Sequence, residues 1–261
     1  MLRNWNTKYL SQVGKEILLK AIVQAIPTYS MGLFKLPKLL LQTLNKVMSR
    51  YWWGKQAQEN KIHWVSWHQM RRAMKIGGLG FKDFDNFNTV LLAKQGWGLI
   101  QNPYSLLAQV VRAKYFLATN FLKAKLGSSP SYIWQSILST RPLLEDGLLW
   151  RIGNGEAISI WTDKWLPQHT TFKPQSSIRF LQVDTKVSNL IDSDTYQWNE
   201  SLVNVIFSRE ETKIIKAIPI SHCNRPNKRI WRCIVKGNFI VKSAYHLCKE
   251  LQDRDKCQST F

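Results

Sequence analysis

The chain has 261 residues, of which 44% are hydrophobic and 12 are Trp, with 37 Lys+Arg against 17 Asp+Glu and a formal net charge of +20. That hydrophobicity excludes a disordered tail, and four cysteines are too sparse for a secreted disulfide scaffold. No run of about 18 uncharged apolar residues is present to form a membrane-spanning helix, so the expectation is a folded, strongly basic chain with a polyanionic partner.

In chain order, Ser11 to Ile26 reads as a helix, because Val13, Ile17, Leu18, Ala21, Ile22 and Ala25 recur at three- and four-residue steps and Pro27 stops the run. A second helix is predicted from Pro37 to Trp52, with Leu40, Leu44, Val47, Met48 and Tyr51 inward. Trp64 to Met74 reads as a short helix, and Gly77-Gly78-Leu79-Gly80 as a turn between packed elements, since it lacks the Lys-Ser/Thr ending of a phosphate loop. Asp83 is placed as the N-cap of a long helix to Ile100, followed by helices over Tyr104–Phe116 and Ser131–Leu144.

The pattern then changes. Leu148–Ile152 and Ala157–Trp161 are β-prone runs around Gly153-Asn154-Gly155-Glu156, which predicts a hairpin. Residues 167–185 lack periodicity and read as a linker. Glu200–Ile218 reads as a helix, Arg229–Val235 with Phe239–Val241 as a second hairpin, and Ser243 as the cap of a last helix. The predicted fold class is mainly α with small β-hairpins: a helical region followed by an α+β C-terminal segment. The predicted divisions are 1–75, 76–166, a linker at 167–186, and 187–261.

Charge is unevenly spread. Residues 1–75 hold 13 basic and 2 acidic residues, more than half of the net excess. The chemistry-bearing residues are scattered by comparison. Cys223, Cys233, Cys248 and Cys257, with His222 and His246 nearby, lack the short paired spacing of a structural zinc site. His63 and His68 are five apart, off the same face of a helix. Asp163 is read as buried and paired, with Arg151 as one possible partner, and no activated nucleophile or general base emerges. Most Trp residues are assigned to the core, with one of Tyr51, Trp52 and Trp53 facing outward.

Taken together, Gly14-Lys15-Glu16-Ile17-Leu18-Leu19-Lys20-Ala21, Gln24-Ala25-Ile26-Pro27, Trp52-Trp53-Gly54, Lys61-Ile62-His63-Trp64, Gly77-Gly78-Leu79-Gly80-Phe81, Trp150-Arg151-Ile152-Gly153-Asn154-Gly155 and Trp161-Thr162-Asp163-Lys164-Trp165 are distinctive. This series resembles the region after the palm in the reverse transcriptases of plant LINE-type, non-LTR retrotransposons, densely over residues 5–167. Trp231, Gly237 and Val241-Lys242-Ser243-Ala244-Tyr245 look like the lead-in to that family's reverse-transcriptase zinc-binding domain, with Asn227 standing where the family often has an acidic residue.

The resemblance implies a thumb and connection region that holds RNA, DNA or an RNA–DNA hybrid by its phosphates. The residues expected to do so are Lys8, Lys15, Lys20, Arg50, Lys55, Lys61, Arg71, Arg72 and Lys75. It implies no catalysis, cofactor or metal in this stretch. The family's aromatic-x-Asp-Asp motif is missing, since the chain has no Asp-Asp dipeptide, and the palm, the downstream Cys/His cluster and the RNase H domain would lie outside it. No membrane partner is expected. The competing expectation is a decayed retroelement remnant with no present activity.

Overall fold

A computed structural model describes residues 10–53, 64–167, 171–176, 181–192, 194–220 and 225–258. Its fold class is the expected one, mainly α with one small two-stranded antiparallel sheet among the described residues. The chain forms two compact units, 1–144 with 245–261, and 145–244.

The first unit contains α1 (Gln12–Leu18), α2 (Thr28–Leu33), α3 (Lys38–Trp52), α4 (Trp67–Met70), α5 (Phe84–Gln101), α6 (Leu106–Tyr115) and α7 (Tyr132–Leu138). It also holds the start of α8 (Arg141–Gly147) and most of α11 (Val241–Gln258). Its centre is α5, which packs against α2, α3, α6 and α7 and buries residues around its whole circumference, including Phe84, Phe87, Val90, Leu92 and Leu99. A helix apolar on all sides has to be enclosed by others. Ser and Asp caps start these helices as expected: Ser131 accepts from Trp134 N, and Asp83 accepts from Asp85 N.

Three helical expectations are corrected. The first helix ends at Leu18 and passes into a π-helical turn over Leu19–Val23. It buries Lys15, Leu19 and Val23, at four-residue steps, so Val13 and Ile17 of the expected inward stripe are 65% and 61% exposed. The segment from Ser131 to Leu144 divides into α7 and α8 around Ser139 and Thr140. Pro142, which has no N–H to give a helix interior, fits the first turn of a new one. The segment from Glu200 divides into α9 (Glu200–Ile206) and α10 (Arg209–Lys216), because Ser208 and Glu211 form a reciprocal capping box that starts a helix anew.

The second unit holds β1 (Leu148–Arg151), α9, α10 and β2 (Lys228–Trp231). Both hairpin expectations are corrected here. β1 pairs with β2 in the register Leu148↔Trp231, Leu149↔Ile230, Trp150↔Arg229 and Arg151↔Lys228. The Gly153–Gly155 turn is instead captured by a side chain: Asn227 Oδ1 accepts from Gly153 N at 2.9 Å and from Gly155 N at 3.0 Å. The run after the turn goes into the core, where Ile158, Ile160 and Trp161 pack with Trp165, Val187, Val203 and Phe207. Ser243 lies inside α11 and does not cap it; its hydroxyl accepts from Trp231 Nε1 at 3.0 Å. Asp163 accepts from Ser159 N at 2.8 Å, and its charge supports that of Arg229.

Candidate nucleic-acid interface

Three N-terminal segments meet at one aromatic residue, Phe81. Phe81 follows the Gly77–Gly80 turn, which lets the chain fold back tightly on α4. Gly77 and Gly80 have positive φ, and a Cβ on Gly78 would overlap the carbonyl of Arg72. Phe81 is buried and gathers three elements. Trp52 of α3 meets it edge-on at 5.6 Å, Trp67 of α4 stacks on it at 4.8 Å, and Lys20 Nζ stands 5.6 Å from its ring centre. Trp67 Nε1 also donates to Asn45 Oδ1 at 3.2 Å, which ties α4 to α3. The first π-helical turn, the end of α3 and the α4 region are thereby held on one aromatic hub.

The expected phosphate-binding residues divide by what they already touch. Lys8, Lys55 and Lys61 lie outside the described residues. Lys15 is 9% exposed. Lys20 pairs with Glu16 at 2.6 Å, and Arg71 pairs with Asp83 at 2.8 Å. Asp83 is also the cap of α5, and its backbone N–H donates to Tyr245 Oη at 2.9 Å, so Arg71 belongs to a structural network. Arg50, Arg72 and Lys75 are exposed and make no ion pair with any described residue. Their charge is available to a ligand.

The structure adds one aromatic residue that the sequence pattern groups with the core. Trp64 is 80% exposed just before α4, and Met74 and Ile76 are exposed beside Arg72 and Lys75. Cations interleaved with an exposed indole can neutralise phosphates and offer a stacking surface. No local signal separates Trp64 from Trp67, because their fates depend on which of them reaches Phe81.

Burial perturbs a second group of charges in this unit. Desolvation pulls Lys35 below its ordinary value, with Asp85 and Cys248 opposing it, and Lys35 Nζ donates to Thr89 Oγ1. Desolvation and the neighbouring Asp83 raise Asp85, and burial pushes the Cys248 thiol up to about 11, so the sulfur stays protonated and unreactive at neutral pH. Among the described residues no group of three or more His, Cys, Asp or Glu is placed to hold a metal ion.

The sequence has relatives in Arabidopsis thaliana. An uncharacterized mitochondrial protein is 39% identical over 151 residues, which cover 58% of this chain and 98% of that protein. A protein named "Putative ribonuclease H protein" is 28% identical over 252 residues, 94% of this chain but 40% of its own length, so the chain spans less than half of that relative. No protein-family model matches the chain.

Proposed function

The chain belongs to the same family as the uncharacterized mitochondrial protein of Arabidopsis, and from that premise we propose that it is a non-catalytic piece of a plant non-LTR retrotransposon reverse transcriptase that holds nucleic acid by its phosphates. The observation that carries the reading is the exposed charge on and beside the segments that Phe81 holds together. Arg50, Arg72 and Lys75 stand exposed, without an ion pair among the described residues, in the segment with 13 basic and 2 acidic residues that also exposes Trp64. The name of the longer relative points to the same class of ligand, since a ribonuclease acts on nucleic acid. Val13, Ile17, Ile26 and Tyr29 expose apolar surface, which suits a piece that works against further protein. The bound duplex is gripped without sequence readout, because the contacts are to phosphates.

The test is fluorescence anisotropy of a labelled RNA–DNA hybrid titrated across a NaCl series. Affinity falls steeply with salt for the full chain, and the triple variant Arg50→Ala, Arg72→Ala, Lys75→Ala loses about 2–3 units of the log–log slope, near one per phosphate contact. A salt-independent affinity, or a triple variant with the parent slope, sinks the reading.

A further inference from the structure

The second unit contains a cavity of about 770 Å³ that the phosphate-binding reading does not use. Its floor is hydrocarbon: Leu149, Ile152, Ile214, Ile218 and Ile230 line it. Three cations, Arg151, Arg225 and Lys228, line it as well, and all three are exposed. Among the described lining residues there is no carboxylate and no Ser, Thr, Asn, Gln or His side chain.

The strand register explains how this two-ended surface arises. Alternate residues of a strand share a face, so Leu149 and Arg151 of β1 lie on one side with Ile230 and Lys228 of β2. Leu149 is directly opposite Ile230, which makes the apolar end. Arg151 is directly opposite Lys228, which makes the cationic end. Like charges opposed across two strands are unfavourable, and no described carboxylate pairs with either. An anion between them relieves that repulsion.

The cavity wall is fixed before any ligand arrives. Asn227 holds Gly153 and Gly155 through Oδ1, and its Nδ2 donates to Asn154 Oδ1 at 3.0 Å. Gly153 presses so closely on the carbonyl of Arg225 that a Cβ would overlap it. A pre-set wall lowers the ordering cost of binding.

We propose that this cavity binds an acyl-chain carboxylate, with the hydrocarbon body on the isoleucine floor and the carboxylate between Arg151 and Lys228. The volume is that of a small-ligand site. A nucleobase fits it less well, because the polar side chains of the described lining are cations and indoles, all donors, which leave the base's own N–H groups without a side-chain acceptor.

Isothermal titration of the full chain with decanoate tests this. Decanoate binds saturably with one molecule per chain, and each methylene removed on going to hexanoate weakens binding by about fourfold. Acetate and decyltrimethylammonium do not compete, since one lacks the body and the other the anion. Lys228→Glu weakens decanoate binding by at least about tenfold, as a charge-assisted contact is lost. The same variant melts no lower than the parent, because an opposite charge then faces Arg151, and this separates loss of the site from loss of the fold. Binding of many decanoates per chain, equal binding of decyltrimethylammonium, tighter binding of adenosine monophosphate, or full affinity in Lys228→Glu overturns the proposal. None of these results bears on the hybrid-binding slope of the Arg50/Arg72/Lys75 variant, so the two readings fail separately.

Discussion

Asn88 has no exposed surface, yet it uses its whole side-chain amide. Its Oδ1 accepts from Leu36 N at 2.8 Å, and its Nδ2 donates to Met31 O at 2.7 Å and Phe34 O at 2.8 Å. These partners include a carbonyl in the last turn of α2 and another just past it, which the helix itself cannot satisfy. One side chain thus docks the end of α2 onto α5. Asn88→Ala leaves an N–H and two carbonyls unpaired in the interior and costs about 3 kcal/mol in urea unfolding. Asn88→Asp is worse still, since it keeps the acceptor for Leu36 but sets a carboxylate oxygen against two carbonyl oxygens. A parent-like midpoint for both variants would show that the network carries no stability. Nothing near Asn88 in the chain marks this role, because its partners lie 52 to 57 residues away. Asp83, by contrast, is legible as a cap, since the N–H it accepts from is two residues on.

The same distance rule decides which elements can be read. The long helix α5 announces its start through its Asp83 cap, which acts within a few residues. The face a helix buries is a different matter: in the first helix the more apolar side lies outward, and the π-helical turn at Leu19–Val23 shifts the register of the residues after it. The sheet is illegible for a stronger reason. Leu148–Arg151 has a plausible partner nine residues on, but its actual partner begins at Lys228, and the choice rests on Asn227 holding the intervening turn. The three cations of the cavity escape a sequence reading for the same cause, since Arg151 and Lys228 meet only once the strands pair. The sheet is further braced by Asp146, at the end of α8. Burial pushes this carboxyl up, but Arg232 at 2.6 Å and Lys164 at 3.6 Å outweigh it and hold it below its ordinary value. A carboxyl lowered by folding contributes stability above its unfolded pKa of 3.8, and that contribution is lost as pH falls through the lower folded value. Asp146→Asn therefore costs about 2 kcal/mol at pH 7. The gap between parent and variant closes on acidification below pH 3.8, as thermal melts across a pH series will show.

At the scale of the whole molecule, the charge that supports nucleic-acid binding also works against the fold. An excess of 20 positive charges repels itself in the compact state, and the few ion pairs among described residues are local: Lys20 with Glu16, Lys216 with Glu200, and the pairs of Arg71, Arg232 and Lys164. Most of these pairs are part-buried and short, so salt screens them weakly, whereas screening the net repulsion relieves a term summed over the whole surface. Salt therefore has opposite effects on two properties. Raising NaCl from 50 to 300 mM, roughly a halving of the Debye length, raises the melting temperature by about 2–4 °C, the size that about 1 kcal/mol produces in a chain of this length. Over the same range, affinity for an RNA–DNA hybrid falls by orders of magnitude. A polyanion such as heparin, added at low salt, has both the binding and the screening effect, and raises the melting temperature without added NaCl. If the melting temperature falls with salt instead, local ion pairs outweigh the net field, and the positive excess is not the strain on the fold that its arithmetic implies.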